Sequence, residues 1–356
     1  MKKVLISTYC HWFSYGSVLQ SFGLQQMIKS LGAKPKTVIF SNETAIPAVG
    51  KLKIKPSLAA VRALAQRLNR AKLETGRTRS IDFIEKNIDA ANISSPENIT
   101  FEAPEADVYI AGSDQIWRPS LKRDDYFLSY APKDKRRISY AASMGVDAAL
   151  PAEVGRFTEL LRNIDRMSVR EESMIAEIGK CTDRPILQHI DPTFLVSAAK
   201  WREYESEYDI KEPYILVYAL YWDTSLNRQL KRLHKKTGYK IVSIQNTLRP
   251  IYANKTVMDA GPAEFLWLVD HAQAVVTSSF HGTAFSVIFN KRFYAVVNPE
   301  SPARIHSLLK ALGVGFAPDI ASVTEYAADY TVADSNIEKE AKRSADYLRR
   351  AIFDEE

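Results

Sequence analysis

Short apolar runs alternate with amphipathic helical patterns along almost the whole sequence, and this alternation is the feature that most limits the possible folds. The runs Lys3–Thr8, Asp107–Ala111 and Tyr214–Leu220 are typical of buried strands, and Leu19–Leu31 and Leu226–Lys236 have apolar residues at helical spacing. Strands that alternate with helices imply right-handed crossover connections and parallel, doubly wound sheets. The pattern therefore predicts an α/β fold.

The length and one polar segment predict two domains. At about 100–200 residues per domain, 356 residues suggest two units. The polar stretch Trp201–Pro213 separates a first strand series from a second one. We therefore expect two Rossmann-like domains with parallel sheets, over residues 1–205 and 206–356, and a last helix that packs back on the first domain.

The positive charge of the chain is concentrated in one segment. The net charge is +6, but Lys51–Arg79 contains nine basic residues and one acid, so this segment has a charge of +8 and the remaining residues sum to −2. Apolar residues at helical spacing within it predict a basic amphipathic helix inserted after the second strand. This helix is either a solvated helix packed on the first domain or a surface that meets an anionic acceptor or lipid headgroups.

Several classes of protein are excluded by what the sequence lacks. Cys10 and Cys181 are too few for a disulfide framework or a structural zinc site. The histidines have no metal-ligand spacing, and GxxxxGK[ST], GxGxxG after the first strand and GxSxG are all missing. The basic segment has no interleaved aromatic residues, so we expect no nucleic-acid partner.

Hydrophobicity predicts a location. The apolar run at the N-terminus is too short for a signal peptide, and no run reaches about 18 apolar residues. We therefore expect a cytoplasmic protein. If residues 51–79 are the lipid-binding surface described above, the protein would lie peripherally at the inner face of the membrane.

The segment TSSFHGT has the strongest candidate site residues, because ligands of parallel sheets bind beyond the carboxyl ends of strands. Ser278 and Ser279 end a predicted strand, Gly282 allows a ligand to approach the backbone, and Thr283 can cap the following helix. A phosphate bound at that helix start would favour the imidazolium of His281 and make it a candidate general acid. The alternative is a structural histidine bonded to a backbone carbonyl.

Further candidates follow other strands. Arg170 has a guanidinium fork that matches phosphate or carboxylate, unless it pairs with Glu171 at the surface. Asp114 can orient or deprotonate a sugar hydroxyl, although an aspartate there also fits a turn. The Asp191-Pro192-Thr193 segment is expected to fix a turn. The remaining candidates are Gln115 and Trp117 for a sugar, and Gly16, Ser17, Lys291 and Arg304 for an anion.

Seven segments resemble, in the same order, the motifs of the polysaccharide pyruvyl transferase family. The SFHG and GSDQIW motifs are specific in combination. One departure is Ser14, where the family usually has asparagine before the Tyr-Gly pair. The segments are YGSVLQSFGLQQMIKSLG (15–32), AGSDQIWRPS (111–120), YAASMG (140–145), SVREESM (168–174), DPTFL (191–195), DAGPAEFLWLV (259–269) and SSFHGTAFSVIFNKRF (278–293).

This resemblance implies a fold and an activity. It implies two Rossmann-like domains arranged as in GT-B glycosyltransferases, with the site in the interdomain cleft. It implies pyruvyl transfer from phosphoenolpyruvate to a sugar of a polysaccharide, such as an exopolysaccharide, or of its lipid-linked precursor, with release of phosphate. This chemistry requires no metal and no organic cofactor.

The resemblance also suggests roles for the two domains and for individual residues. The C-terminal domain would bind the donor and the N-terminal domain the acceptor. His281 would act as the acid or assist the leaving phosphate, and Arg170 would hold the phosphate or carboxylate. Ser279 and the amides near Gly282 would complete the donor cradle, and Asp114 would orient or deprotonate the acceptor.

Two other functions fit the same residues. A GT-B glycosyltransferase would use the same helix start to bind the diphosphate of a nucleotide sugar. A non-catalytic protein would recognise anionic glycans or lipids through the basic segment. The donor that binds, and the release of phosphate from phosphoenolpyruvate, distinguish these three hypotheses.

Overall fold

The computed structural model describes residues 1–41, 56–146, 153–220, 224–245, 251–297 and 302–353, without the side chains of residues 56–68. Lys51, Lys53 and Lys55 of the basic segment therefore lie outside the described residues. The same holds for the side chains of Arg62 and Arg67.

The first half of the chain forms a five-stranded parallel sheet. Its order is β3-β2-β1-β4-β5, so the central strand β1 is also the first in sequence. Leu5 of β1 lies opposite Lys36 on one side and Tyr109 on the other. The strands are β1 (Lys3–Ser7), β2 (Lys34–Phe40), β3 (Ala90–Ile93), β4 (Val108–Ala111) and β5 (Arg136–Ser139).

The second half repeats this topology. Its order is β10-β9-β8-β11-β12, with all neighbours parallel. Two parallel sheets with the same reversal of strand order confirm the predicted α/β fold with two Rossmann-like units. A separate parallel pair, β6 (Met167–Val169) and β7 (Ile186–Gln188), lies between them in sequence. The strands of the second sheet are β8 (Tyr214–Tyr218), β9 (Lys240–Ile244), β10 (Lys255–Val257), β11 (Ala274–Thr277) and β12 (Phe293–Ala295).

Helices connect most of these strands. The helix α1 begins four residues before the predicted Leu19, because the side chain of Ser14 accepts a hydrogen bond from the amide of Ser17 and caps the helix there. The helices are α1 (Tyr15–Ser30), α2 (Pro56–Asn87), α3 (Ile99–Glu102), α4 (Val154–Leu161), α5 (Ser173–Gly179), α6 (Ala198–Arg202), α7 (Thr224–Thr237), α8 (Pro262–Asp270), α9 (Phe280–Ile288), α10 (Ala303–Leu312) and α11 (Thr331–Phe353).

The helix α1 joins the two halves through one shared apolar core. The ring of Tyr15 stacks on Phe265 of α8 with centroids 5.0 Å apart, and Phe22 lies 5.4 Å from Trp201. Gly16 and Gly23, two turns apart, face the same side of α1. An added Cβ at Gly23 would lie 2.5 Å from the carbonyl oxygen of Pro192. Glycine at these positions therefore lets α1 pack closely against residues from later in the chain.

The last helix packs on the first sheet. The hydroxyl of Tyr347 in α11 donates to the carbonyl of Ser139 at 2.8 Å, and Arg136 donates to the carbonyl of Ala351 at 3.1 Å. The exact division near residue 205, and the assignment of donor and acceptor sides, stay predictions.

The basic helix α2 also contacts the second half. Arg79 donates to the carbonyl of Asp259 at 2.8 Å, and an added Cβ at Gly76 would lie 3.0 Å from the carbonyl oxygen of Met258. The helix α2 therefore packs on both halves of the chain, whereas the sequence predicted packing on the first domain only. Among the helices of the described ranges, none is both long and apolar enough to cross a membrane.

Candidate functional site

A cleft of about 650 Å³ lies between the carboxyl ends of the two sheets. Its wall segments follow β1, β4, β8 and β11, the strands at which the order of each sheet reverses, which is where ligands of open parallel sheets bind. Its described lining residues are Tyr9, Phe13, Ser14, Gly16, Asp114, Gln115, Arg118, Leu121, Gly145, Tyr218, Leu220, Ser278, Ser279, Phe280, His281, Arg304 and Ile305.

His281 lies in the first turn of α9, at the wall of the cleft. The hydroxyl of Ser279 accepts a hydrogen bond from the amide of Gly282 and starts the helix, which aims the following side chains at the cleft. The Nε2 atom of His281 lies 3.6 Å from Oδ2 of Asp191, an ion-pair distance rather than a hydrogen bond. On the other side of the ring, an added Cβ at Gly16 would lie 2.1 Å from Nδ1. The imidazole is therefore held between a carboxylate and the start of α1.

Asp191 is the buried carboxylate that contacts His281, Arg170 and Ser113, although its Asp-Pro-Thr sequence predicted only a turn. It does cap a short 3-10 helix (Pro192–Leu195) by accepting from the amide of Thr193 at 3.0 Å. Its Oδ2 also accepts from Arg170 Nη1 at 2.8 Å and from the hydroxyl of Ser113 at 3.3 Å. Burial alone would raise its pKa, but His281 and Arg170 hold the pKa well below its ordinary value.

Arg170 lies behind the cleft rather than in its wall. Its side chain is 3% exposed and donates from Nε to Glu171 at 2.9 Å, in addition to its bond with Asp191. Burial acts to lower its pKa, but these two carboxylates outweigh burial and raise the pKa above its ordinary value. Its guanidinium lies 3.9 Å from the ring centroid of Phe280. Arg170 thus lines a second cavity of about 160 Å³ and positions Asp191.

Arg304 lines both cavities and is the better-placed cation for an anionic ligand. Its Nε lies 3.8 Å from Oε1 of Glu171, which is longer than a hydrogen bond. Burial, together with the nearby charge of Arg170, lowers the pKa of Arg304 to about 10. An anion in the cleft would offset the cost of burying this guanidinium.

Asp114 reaches the cleft from a tight loop after β4. Its φ of +68° is in the left-handed region, and its Oδ1 accepts from the amide of Gln115 at 2.8 Å. Both residues line the cleft, and their roles at an acceptor stay predictions. Trp117 does not: it is fully buried, stacks on Phe127 at 5.3 Å and donates to the carbonyl of Tyr126. The structure therefore contradicts the hypothesis that Trp117 stacks on a sugar.

Other predicted residues fall into two groups. Gly16, Ser278 and Ser279 line the cleft with His281. Ser17, Thr283, Gly282 and Lys291 do not line it in the part of the chain that the structure describes.

These four residues have structural contacts instead. The hydroxyl of Ser17 bonds within the loop before α1, and that of Thr283 donates to the carbonyl of Ser279. An added Cβ at Gly282 would lie 2.2 Å from Oγ1 of Thr277, so protein rather than ligand fills this space. The ammonium of Lys291 bonds to the carbonyl of Asp270.

Three aromatic residues of the cleft, Tyr9, Phe13 and Tyr218, were not predicted from the sequence. Tyr9 and Phe13 come from the loop between β1 and α1, and Tyr218 ends β8. Their position after strands was a usable signal, but aromatic residues at strand ends are also common in cores. Tyr9 and Phe13 are half-buried, whereas Tyr218 is buried against Tyr15 and Phe265.

A possible metal-ligating group lies outside the cleft. Ligand atoms of Glu205, Asp270 and His271 lie within 4.8 Å of one another. Burial and the nearby charge of Asp270 raise the pKa of Glu205 to about 7. Both oxygens of Asp270 already accept hydrogen bonds from Arg202. The guanidinium of Arg202 therefore takes the place beside Asp270 that a metal ion would need.

Comparisons of sequence identify one family. The family described as polysaccharide pyruvyl transferase matches the chain over residues 15–300. No curated protein sequence matches the chain significantly.

Comparisons of structure identify one fold. A UDP-GlcNAc 2-epimerase from Neisseria meningitidis, solved with UDP-GlcNAc, has a TM-score of 0.52 at 11% identity over 100% of both chains. A UDP-N-acetylglucosamine 2-epimerase from Rickettsia bellii has the same score at 10% identity, again over 100% of both chains. An alpha-glucosyltransferase in complex with UDP and DNA has a TM-score of 0.50 at 10% identity over 99% of this chain and 94% of that one. These likenesses confirm the GT-B arrangement and nothing beyond the fold.

Proposed function

The chain belongs to the polysaccharide pyruvyl transferase family, and we propose that it transfers pyruvate from phosphoenolpyruvate to two hydroxyls of a sugar, with release of phosphate. The observation that carries this proposal is the placement of His281, backed by the buried Asp191, in the same cleft as Asp114. An acid from one half of the chain and a carboxylate from the other thus face one ligand site. Donor and acceptor can meet between them.

The donor is expected on the side of α9. Phosphoenolpyruvate has a phosphate and a carboxylate, and a unit charge pair at about 4 Å is worth about 4 kcal/mol at an effective dielectric near 20. Arg304 supplies one such charge. The amides of Phe280 and His281 find no acceptor among the described residues, and they lie at a helix start that favours anions.

The reaction begins with protonation of the donor. His281 gives its proton to the CH2 carbon of the enol, and the central carbon becomes electron-deficient. One sugar hydroxyl attacks this carbon and loses its proton to a base. The C–O bond to phosphate then breaks with its electron pair on the phosphate, and the central carbon becomes electron-deficient again. The second hydroxyl attacks this carbon and gives its proton to the released phosphate, which closes the ketal. No step in this sequence needs a metal or an organic cofactor.

The residues divide these tasks. Asp191, 3.6 Å from Nε2 of His281, keeps the imidazole oriented, as a buried carboxylate does for other catalytic histidines. Arg170 positions Asp191. Asp114 orients or deprotonates the acceptor hydroxyl, and Tyr9 and Phe13 provide aromatic faces for the sugar.

Donor binding and phosphate release test this function together. Phosphoenolpyruvate should stabilise the protein against thermal unfolding, by about 2.7 kcal/mol at a concentration near 100 times its Kd. Phosphate should be released only with a suitable member of an array of sugars. Stabilisation by a nucleoside diphosphate and not by phosphoenolpyruvate would favour a nucleotide-sugar glycosyltransferase. No phosphate release with any sugar would favour a non-catalytic glycan-binding protein.

We also propose that the basic segment 51–79 brings the enzyme to an anionic lipid surface or a lipid-linked acceptor. Its charge of +8 supports this, because the rest of the chain is slightly acidic. Arg77 and Arg79 have packing contacts, with Trp12 and with Asp259. Arg70 and Lys72 are exposed.

Replacing Lys51, Lys53, Lys55, Arg70 and Lys72 with glutamine should weaken binding to anionic vesicles. Each basic residue near such a surface is worth about 1 kcal/mol, so we expect a loss of about two orders of magnitude or more. Affinity for phosphoenolpyruvate should not change. A matched variant that loses five exposed lysines elsewhere should bind vesicles almost normally. Equal losses in both variants would contradict the assignment. The control positions are Lys2, Lys133, Lys211, Lys235 and Lys339.

A further inference from the structure

Arg118 is a cation of the cleft that the proposed chemistry does not use. It is exposed on the loop after β4 and lines the same cleft as His281. Within the described residues, no carboxylate lies at ion-pair distance from its guanidinium, and its hydrogen bond is to the neutral amide of Gln115. Arg170 and Arg304, in contrast, each face Glu171. Arg118 is therefore a charge without a counter-charge, at a surface where a substrate binds.

The side chain of Arg118 is held in place. Its Nη1 donates to Oε1 of Gln115 at 3.1 Å, and its backbone amide donates to the carbonyl of the same residue at 3.1 Å. Gln115 lies against Gly145, where an added Cβ would be 2.6 Å from the amide carbon and oxygen of the glutamine. Gly145 has a φ of +68°, which favours glycine. Gly145 thus makes room for Gln115, and Gln115 orients the guanidinium.

Arg118 lies on the side of the cleft that contains Asp114, which we assign to the acceptor. It lies four residues after Asp114, in the loop that we assign to the acceptor hydroxyl. The donor anions have their own partners on the opposite side, at Arg304 and the start of α9. An arginine fork matches a carboxylate or phosphate bidentately, and a neutral sugar would leave it without an ionic partner.

We infer that the acceptor has an anionic group next to the sugar that receives the ketal, and that Arg118 binds this group. The group is a carboxylate, as in a uronic acid, or a phosphate, as in a glycosyl phosphate. This inference rests on the proposed pyruvyl transfer and narrows its acceptor to one chemical class.

A matched set of acceptors tests the inference. The set contains a neutral glycoside of the accepted sugar, the same sugar linked to a uronic acid, and its glycosyl phosphate. Hydrogen bonds to charged groups are worth about 1.5–3 kcal/mol, so Arg118→Gln should lower kcat/KM for the cognate anionic acceptor by about 10–100-fold. The loss for the neutral glycoside should stay below about threefold. The anionic acceptor with the larger loss identifies the group as carboxylate or phosphate.

Three controls make the result specific. Arg118→Lys keeps the charge without the fork and should restore part of the preference. Lys133→Gln removes an exposed charge before the amino end of β5, whereas Arg118 follows the carboxyl end of β4, and it should change nothing. The KM for phosphoenolpyruvate should be the same in all variants. Equal losses for charged and neutral acceptors, or a raised KM for phosphoenolpyruvate, would overturn the inference and leave the transferase intact. No transfer to any acceptor by the wild-type protein would overturn the proposed function and the inference together.

Discussion

Replacing His281 with alanine should reduce ketal formation by about 10²–10⁴-fold, the usual contribution of a positioned general acid. The expected loss is large because no other described histidine lines the cleft. His281 also has the buried carboxylate of Asp191 behind it. Affinity for phosphoenolpyruvate should fall much less, because Arg304 and the helix start remain. Initial rates of phosphate release and product mass spectra measure the effect.

His306→Ala is the matched control for this substitution. His306 is an exposed histidine on α10, and its loss should leave the rate within about twofold, as expected of a surface change away from the chemistry. Thermal unfolding of both variants checks that they fold. A His281→Ala enzyme that keeps more than a tenth of the wild-type rate would remove His281 from the role of acid.

Replacing Gly16 with alanine should be almost as damaging, although glycine performs no chemistry. The new Cβ would lie 2.1 Å from Nδ1 and 2.2 Å from Cγ of His281, so the imidazole or α1 has to move. A displacement of about 1 Å at a catalytic group can cost about 100-fold in rate. We expect kcat to fall by about this factor, with a loss of about 1–3 kcal/mol in the free energy of unfolding from overpacking.

Two other glycines separate the effect on His281 from the effect on stability. Gly23→Ala places a Cβ 2.5 Å from the carbonyl oxygen of Pro192, so it should destabilise the fold while leaving kcat closer to normal at a permissive temperature. Gly155→Ala, in open space on α4, should be neutral or stabilise by up to about 1 kcal/mol through helix propensity. A Gly16→Ala enzyme with normal kcat would show that the close contact with His281 does not set its position.

The strands and helices could be predicted from the sequence where a short segment is enough to indicate the element. An apolar run such as Tyr214–Leu220 indicates a strand without help from distant residues, and most strands of both sheets were predicted from such runs. The edge strands β3 and β10 were missed because AANI and KTV are short and only partly apolar. Their pairing with β2 and β9 is a property of the assembled sheet.

The site was readable only in part, because side-chain direction and long-range contacts are not local. His281 and Asp114 were chosen because they follow strands, and Arg304 because of its positive charge; all three line the cleft. Asp191 was interpreted only as a turn residue, because its local sequence does not show its distant contacts. It bonds to Ser113 and Arg170, and its ionic partner is His281, 90 residues later. Trp117 follows a strand as well, but its ring turns into the core against Phe127.

Product analysis after transfer in D2O is the decisive experiment for the proposed pyruvyl transfer. We expect the enzyme to convert phosphoenolpyruvate and a sugar acceptor into a pyruvate ketal, with one phosphate released per ketal. The acceptor should gain the mass of pyruvic acid less water, and the ketal methyl should contain one deuterium, because the acid that protonates the CH2 carbon exchanges with solvent. Consumption of a nucleotide sugar with no incorporation from phosphoenolpyruvate, or a ketal methyl without deuterium, would contradict it.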